Sequence, residues 1–127
     1  MVQGYEALNN GGYTTKDSGK REEFSTGAVR DTQDQKERYD LLPVLCLKRV
    51  AQLYQRGAEK YSSRNWQKGI PISRFYASGF RHLMQWAEGD RTEDHLAAVV
   101  FNVFGIMWTE VMIDLGKLPK ELKDMNE

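Results

Sequence analysis

The chain has 127 residues, and its 18 Lys and Arg balance its 18 Asp and Glu, which gives a formal net charge of +0. This length predicts one domain with a core of modest size. The balance excludes a bulk field that would attract nucleic acid or an anionic membrane, although a local cluster of cations can still hold a small anion. We therefore expect no nucleic acid and no membrane among the partners.

The cysteine content and the N-terminal residues indicate a cytoplasmic protein. Cys46 is the single cysteine, which excludes an intrachain disulfide framework and a cysteine-based zinc site. It lies in the apolar run 41–47, so we expect a small buried hydrophobe rather than a catalytic thiol. Residues 1–12 lack the basic and apolar regions of a secretory signal. The apolar region 96–115 is interrupted by polar residues, which argues against a membrane span.

Residues 1–37 differ in composition from the rest of the chain. Glycines recur there among Asn, Thr, Ser and Gln, while large apolar residues are sparse and unperiodic. Such a segment cannot bury enough apolar surface to fold alone, so we expect a disordered tail over 1–20. Residues 24–40 could lie as an extended arm. We therefore divide the chain into an extended or partly disordered N-terminal arm, 1–37, and a helical domain, 38–127.

From residue 40 onward, apolar residues recur at three- and four-residue steps, which predicts helices. Asp40 and Thr92 are the candidate N-caps of the first and third helices, and Gly89 closes the second. No strand signal competes, so the predicted fold class is all-α. The predicted helices span residues 40–61, 73–89, 92–116 and 119–125.

The third predicted helix is apolar on more than one face. Val99, Phe101, Val103, Phe104 and Met107 point in different directions around its axis. An outer helix of a small monomer should carry a single apolar stripe. Burial against a second copy is the simple explanation, so we expect a homo-oligomer, either a dimer or a tetramer.

The segment from Arg56 to Trp66 collects polar and aromatic groups at the end of the first helix. Glu59, Lys60 and Tyr61 follow one another there, and a guanidinium, an amide and an indole come next. These groups are suited to holding a metal-bound phosphate chain together with a flat base. The aromatic rings could stack on that base, although aromatic rings of the core are commoner.

Three acids come from three different helices, which is how a helical bundle builds a carboxylate metal site. They are Glu59, Glu88 and Asp94. Ligation by oxygen alone favours Mg²⁺ or Mn²⁺ over zinc. Glu59 lies near a helix C-terminus, where the dipole disfavours an acid unless Lys60 or a bound ion compensates. Three acids on three helices also occur by chance in most helical proteins.

The second and third helices carry further polar candidates. Arg81 shares a helix face with Gln85 and Glu88, which is either a solvated face or part of a site. His82 either donates to phosphate or is a structural histidine. Asn102 lies in the most apolar part of the chain, where a buried unpaired amide costs roughly 1–3 kcal/mol. We expect it to meet either another polar group or a ligand.

Several sequence blocks in a fixed order point to a known family. They are TGAVRD (26–31), RYDLLP (38–43), GAEKY (57–61), RNWQKG (64–69), RHL (81–83) and DHLA (94–97) followed by Asn102. Over residues 24–108 the chain resembles the phage dATP/dGTP diphosphohydrolase family, which includes MazZ-type enzymes and is similar to the MazG-like all-α NTP pyrophosphohydrolases. The resemblance implies that the helical domain is a catalytic bundle of that type. The extended N-terminal arm would precede it, and the cytoplasm would be that of the host if the protein is encoded by a phage.

The implied reaction is hydrolysis of a purine deoxynucleoside triphosphate to the monophosphate and pyrophosphate. Among the purines we favour dGTP, with dATP as the alternative. In the similar enzymes, Glu-x-x-Glu and Glu-x-x-Asp pairs hold Mg²⁺ or Mn²⁺, and a metal-activated water attacks the α-phosphorus. This chain departs from that pattern, because Arg56 stands three residues before Glu59 and Ala98 stands where the last acid would be. Glu88 is the candidate that completes the set.

Residue roles follow from this resemblance. Asp31 could accept the adjacent N–H donors of guanine. The rival interpretation is a non-catalytic helical module that binds a nucleotide or a protein. It is favoured because each of the two acid pairs lacks one of its acids. The predicted catalytic residues are Glu59, Arg81 and His82. The predicted metal ligands are Glu59, Glu88 and Asp94. The predicted nucleotide-binding residues are Arg30, Asp31, Arg38, Lys60, Tyr61, Asn65, Trp66 and Asn102.

Overall fold

In a computed structural model of the chain, residues 14–125 are described. They fall into two compact units that divide between Leu42 and Pro43. Most of the tail predicted over residues 1–20 lies outside the described residues.

The N-terminal unit contains a short antiparallel hairpin. Strand β1 spans Arg21–Glu23 and pairs with strand β2, Val29–Asp31, in a register that sets Arg21 opposite Asp31. The connection is tight, because Phe24 N–H donates to the carbonyl of Ala28 and Gly27 adopts a φ of +88°, which glycine tolerates best. The expectation that no strand occurs is therefore wrong for this arm. Three-residue strands with exposed, mostly charged side chains carry no hydrophobic alternation for the sequence to reveal.

The C-terminal unit confirms the all-α class and the three long helices. Helix α1 spans Val44–Lys60, α2 spans Ile72–Ala87, and α3 spans His95–Asp114. The predicted fourth helix is wrong, since only a single 3-10 turn forms at Lys120–Leu122. So short a segment yields too few backbone hydrogen bonds to offset the cost of nucleating a helix.

Both predicted N-caps are wrong, whereas the predicted closure of α2 is confirmed. Asp40 lies in a 3-10 turn, and α1 begins after Pro43 without a side-chain cap. Thr92 N–H and Oγ1 donate to Asp90 Oδ1, and Asp94 caps α3 by accepting from Ala97 N–H at 3.1 Å. Gly89 ends α2 with a φ of +93°.

Helix α3 is the centre of the helical unit and packs along α2 and against α1. Small residues allow the close approach: the α-carbon of Gly105 faces the ring of Phe75, and Gly79 faces Asn102. Phe75 is only 3% exposed. The core around this contact contains Val50, Ile72, Phe75, Ala97, Ala98 and Met112.

Part of the apolar surface of the described residues is not covered by the chain itself. Cys46, expected to be buried, is exposed, because the neighbouring first turn of α1 is exposed as well. By length and composition alone, α3 is long and apolar enough to cross a membrane, a criterion that the core helix of a soluble protein also meets. The exposed apolar residues of α2 and α3 include Tyr76, Phe80, Leu83, Met84, Val103, Phe104 and Met107.

Candidate functional site

A cavity of about 980 Å³ opens in the helical unit. Its walls come from the C-terminal half of α1, the loop that follows it, one face of α2 and the first turns of α3. Among the described residues it is lined by five Lys and Arg side chains and one carboxylate, which belongs to Glu93. The five cations are Arg56, Lys60, Arg64, Arg74 and Arg81. The chain is neutral as a whole, so this cavity concentrates positive charge locally.

Helical spacing explains how the cations converge. Arg56 and Lys60 are four residues apart on α1 and so share a face. Arg74 and Arg81, with Ser78 between them, form a row on α2 at steps of four and three residues. Arg64 lies between the two helices and adopts a left-handed conformation with a φ of +60°, which is uncommon for a residue other than glycine.

An aromatic cluster forms another part of the wall. Trp66 packs edge-on against Tyr54 at a centroid distance of 6.0 Å and against Trp108 at 5.2 Å. Tyr54 also contacts Phe101 at 5.0 Å, and burial raises the pKa of its hydroxyl, which therefore stays neutral. Trp66 is half-buried, so it packs within this aromatic cluster and also lines the cavity. Tyr61 lines the cavity and lies under the ammonium of Lys60.

Seven predicted site residues line this cavity. They are Lys60, Tyr61, Asn65, Trp66, Arg81, His82 and Asn102. Asn102 is buried, and its Nδ2 atom donates to the carbonyl of Ala98 at 2.8 Å and to Ser78 Oγ at 3.4 Å. The amide therefore meets polar groups of its own chain while its side chain borders the cavity.

The three predicted metal ligands are not brought together. Glu59 and Glu88 are exposed, and none of the three acids lines the cavity. Within residues 14–125, no group of three His, Cys, Asp or Glu side chains lies close enough to hold a metal ion. A carboxylate cluster of the predicted composition is therefore not assembled by the described part of one chain.

Asp94 has structural partners instead. Arg49 donates to its two carboxylate oxygens from Nε at 2.9 Å and from Nη2 at 2.7 Å. These hydrogen bonds, followed by the cap on Ala97 N–H, hold the pKa of Asp94 below its usual value. The carboxylate thereby links α1 to the start of α3.

Two histidines and an aspartate form a chain that ends at the cavity. His82, which lines the cavity, has its Nδ1 atom 2.9 Å from Nδ1 of His95. His95 is 1% exposed, and its Nε2 atom lies 3.4 Å from Asp90 Oδ2, close enough for an ion pair but not aligned as a hydrogen bond. Burial, opposed by the nearby charge of Glu93, lowers the pKa of His82. The imidazole of His82 is therefore neutral at neutral pH.

Asp31 and Arg38, two of the predicted nucleotide-binding residues in the N-terminal unit, have side-chain partners within that unit. The Asp31 carboxylate accepts from the backbone N–H and hydroxyl of Ser18, from Thr32 N–H and from Lys36 Nζ. These donors hold the pKa of Asp31 far below its usual value. They also occupy its lone pairs, so contact with a guanine edge, which stays a prediction, requires the base to replace some of them. Arg38 is paired with Asp40 through two hydrogen bonds.

Sequence reasoning missed several groups that the fold brings to the cavity. Arg74 and Ser78 share a helix face with Arg81, and this spacing is the signal that could have identified them. Glu93 also lines the cavity, although nothing in its local sequence distinguishes it from the other acids of the chain. The roles of His95 and Asp90 had no local signal, because the contact with His82 joins two helices.

Comparison with known proteins assigns the chain to a family. A family model described as dATP/dGTP diphosphohydrolase, N-terminal, matches residues 26–116. No curated protein and no solved structure matches the chain. The matched range covers most of the chain and includes every residue that lines the cavity. The chain therefore belongs to the dATP/dGTP diphosphohydrolase family, in the region that the N-terminal model of the family describes.

Proposed function

We propose that this chain hydrolyses a purine deoxynucleoside triphosphate, dGTP in preference to dATP, to the monophosphate and pyrophosphate by attack of water on the α-phosphorus. The observation that carries the proposal is the cavity, in which five cations face one carboxylate beside an aromatic wall. A volume of about 980 Å³ is within the range of small-molecule sites. A triphosphate supplies the negative charge that such a cluster lacks, and the base supplies a flat apolar surface.

The cations have distinct uses in this reaction. Guanidinium groups can bind phosphate oxygens through two parallel hydrogen bonds, which orients as well as attracts them. Arg74 and Arg81 lie on one face of α2, whereas Lys60 approaches from α1. Binding from two sides fixes the phosphate chain and stabilises the charge that develops on its oxygens as the bond to the leaving group breaks. Trp66 and Tyr61 are the rings available to the base.

We further propose a requirement for Mg²⁺ or Mn²⁺. Mg²⁺ is commonly bound by one or two carboxylates together with waters and substrate phosphate oxygens, so a single carboxylate in the cavity fits this mode of binding. Glu93 would hold the ion together with the phosphates. When bound, the ion neutralises phosphate charge and makes a coordinated water more acidic. The roles of Glu59, Glu88 and Asp94 as ligands stay predictions, and Asp94 would have to leave Arg49 to act as one.

We also propose that the chain forms a homo-oligomer through an apolar face made of Tyr76, Phe80, Leu83, Val103 and Ile106. These side chains line a shallow apolar groove between α2 and α3. Large apolar side chains exposed side by side are typical of an interface, and symmetric association of identical copies is the commonest way to cover them. Sedimentation of the protein as a monomer at micromolar concentration would contradict this. The cytoplasmic location and the absence of nucleic-acid and membrane partners stay predictions.

One observation favours a second candidate, a module that binds nucleotides without cleaving them. The acids that hold metal in similar enzymes are not grouped within residues 14–125. Binding without turnover would be the outcome if the cations attract the phosphates but nothing activates a water.

A panel of deoxynucleoside triphosphates, each incubated with Mg²⁺ or Mn²⁺, separates the candidates. Hydrolysis predicts monophosphate and pyrophosphate, with dGTP and dATP as the best substrates, whereas release of orthophosphate identifies another type of hydrolase. Lys60→Gln and Lys48→Gln form a matched pair, because both lysines are exposed on α1 and only Lys60 lines the cavity. Lys60→Gln should reduce kcat/KM at least roughly tenfold, as expected for the loss of one charge-assisted hydrogen bond, and Lys48→Gln should not.

A further inference from the structure

The two histidines of this chain meet through the same type of ring nitrogen, and this restricts where their hydrogens can be. Nδ1 of His82 lies 2.9 Å from Nδ1 of His95, so one of the two must donate and the other must accept. A neutral imidazole carries one N–H donor and one bare acceptor nitrogen. The hydrogen on one ring therefore determines the hydrogen on the other.

Asp90 decides between the two arrangements. An ionised carboxylate only accepts hydrogen bonds, and several donors keep the pKa of Asp90 below its usual value. Its Oδ2 atom is 3.4 Å from Nε2 of His95, which is buried. A bare Nε2 would set two acceptors against each other at 3.4 Å, a separation that leaves no room for a water between them. Nε2 of His95 therefore carries the hydrogen, and Nδ1 of His95 is the acceptor.

The arrangement then continues to the cavity. Nδ1 of His82 donates to His95, which leaves Nε2 of His82 as the bare nitrogen. His82 lines the cavity, and its Nδ1 edge is occupied by the buried partner. Nε2 is thus the ring nitrogen available to a bound molecule. The group that this histidine presents is a proton acceptor and not a donor to phosphate.

We propose that His82 Nε2 is the general base of the reaction, and that His95 and Asp90 are positioning residues that fix its tautomer; this rests on the proposed function. In the step, a water oxygen forms a bond to the α-phosphorus while one of its protons moves to Nε2 of His82. The bond from the α-phosphorus to the bridging oxygen breaks, and that oxygen leaves with the electron pair as part of pyrophosphate. The proton on His82 is then released to solvent.

Nuclear magnetic resonance of the ring nitrogens tests the tautomers without any substrate. The chain has only two histidines, so a spectrum of isotope-labelled protein contains two ring systems, and His82→Gln assigns them. We expect the Nδ1–H form for His82 and the Nε2–H form for His95. An Nε2–H form of His82, or a doubly protonated His95 that donates from both nitrogens, overturns the inference.

Kinetics of Asp90→Asn test the positioning role. The amide oxygen of the variant can still accept from Thr92 and so keep the loop, but its NH₂ group can donate to His95. We expect the tautomer of His82 to change and kcat to fall at least roughly tenfold, with KM nearly constant, while His82→Gln loses roughly a hundredfold or more. Asp114→Asn, an exposed aspartate of α3 outside the cavity, is the matched control.

The outcomes separate this inference from the proposed function. If the tautomers are as expected but kcat is unchanged in Asp90→Asn and His82→Gln, then His82 has no catalytic role. The proposed hydrolysis is not affected by that result. An inactive wild-type chain refutes the hydrolysis and with it the general-base step, whatever the tautomers. If Asp90→Asn lowers kcat, raises KM and alters the circular dichroism spectrum together, the role of Asp90 is purely structural, which also contradicts the inference.

Discussion

Replacing Gly105 by alanine tests the closest approach between α2 and α3. The new Cβ atom would lie 2.4 Å from Cε1, 2.5 Å from Cδ1 and 2.7 Å from Cζ of Phe75. Carbon atoms pack best at about 3.5–4.0 Å, so three ring atoms clash at once. Phe75 is only 3% exposed, so most of its ring surface is in contact with neighbouring groups.

The net effect follows from two opposed contributions. Overpacking of a core costs typically about 1–3 kcal/mol, and the severity of this clash points to the upper end or beyond. Alanine gains about 1 kcal/mol over glycine in a helix interior. We therefore expect Gly105→Ala to lower the free energy of unfolding by about 2 kcal/mol, which corresponds to a fall in Tm of about 5–10 °C for a domain of this size.

Gly57→Ala on α1 is the matched control, because its Cβ would meet nothing within 4 Å. The same substitution should there raise the free energy of unfolding by about 0.5–1 kcal/mol. Urea unfolding followed by far-UV circular dichroism measures both variants. A Gly105→Ala protein as stable as the wild type would refute the packing of Phe75 against α3.

The remaining predictions concern charged groups. Asp94→Ala should lower the free energy of unfolding by about 1–2 kcal/mol, because it removes both the helix cap and the partner of Arg49. Asp94→Asn keeps a cap and should lower it by about 1 kcal/mol or less. Equal losses of the two variants in urea unfolding would contradict the role of Asp94 as a cap. Because the folded-state pKa of Asp94 is depressed, its contribution is present above the unfolded pKa of about 3.9 and is lost as the pH falls through the lower folded value. The difference in free energy of unfolding between the wild type and Asp94→Asn should therefore shrink as the pH falls below about 3.9, and a difference that does not change with pH would contradict the pairing. The affinity for a non-hydrolysable triphosphate analogue, measured by calorimetry, should weaken with rising salt concentration. This salt dependence should be shallower in Lys60→Gln than in Lys48→Gln. An identical salt dependence in the two variants would mean that the phosphates do not bind near Lys60.

The helices could be predicted from the sequence because periodicity is a local property. Apolar residues at three- and four-residue steps locate α1, α2 and α3 to within a few residues. The cap of α3 could not be chosen in this way, since Thr92 and Asp94 are two residues apart and both are good caps. The hairpin was missed because its register is fixed by a turn and by contacts of Asp31, not by a buried face.

The cavity could be predicted only in part, for a related reason. Arg81, His82 and the segment that ends at Trp66 stood out because their chemistry is conspicuous within a few residues. Which acids from different helices converge depends on the rotation and crossing of those helices, which the spacing along one helix does not determine. Asp94 was expected to bind metal because nothing in the local sequence revealed its partner, Arg49, 45 residues earlier.

Hydrolysis in water enriched in heavy oxygen tests the central claim most directly. With dGTP as substrate, attack on the α-phosphorus predicts that the label enters the monophosphate and that the pyrophosphate contains none. His82→Gln should slow the appearance of labelled monophosphate without moving the label. Heavy oxygen in pyrophosphate or orthophosphate, or no labelled product from any deoxynucleoside triphosphate, would contradict the account.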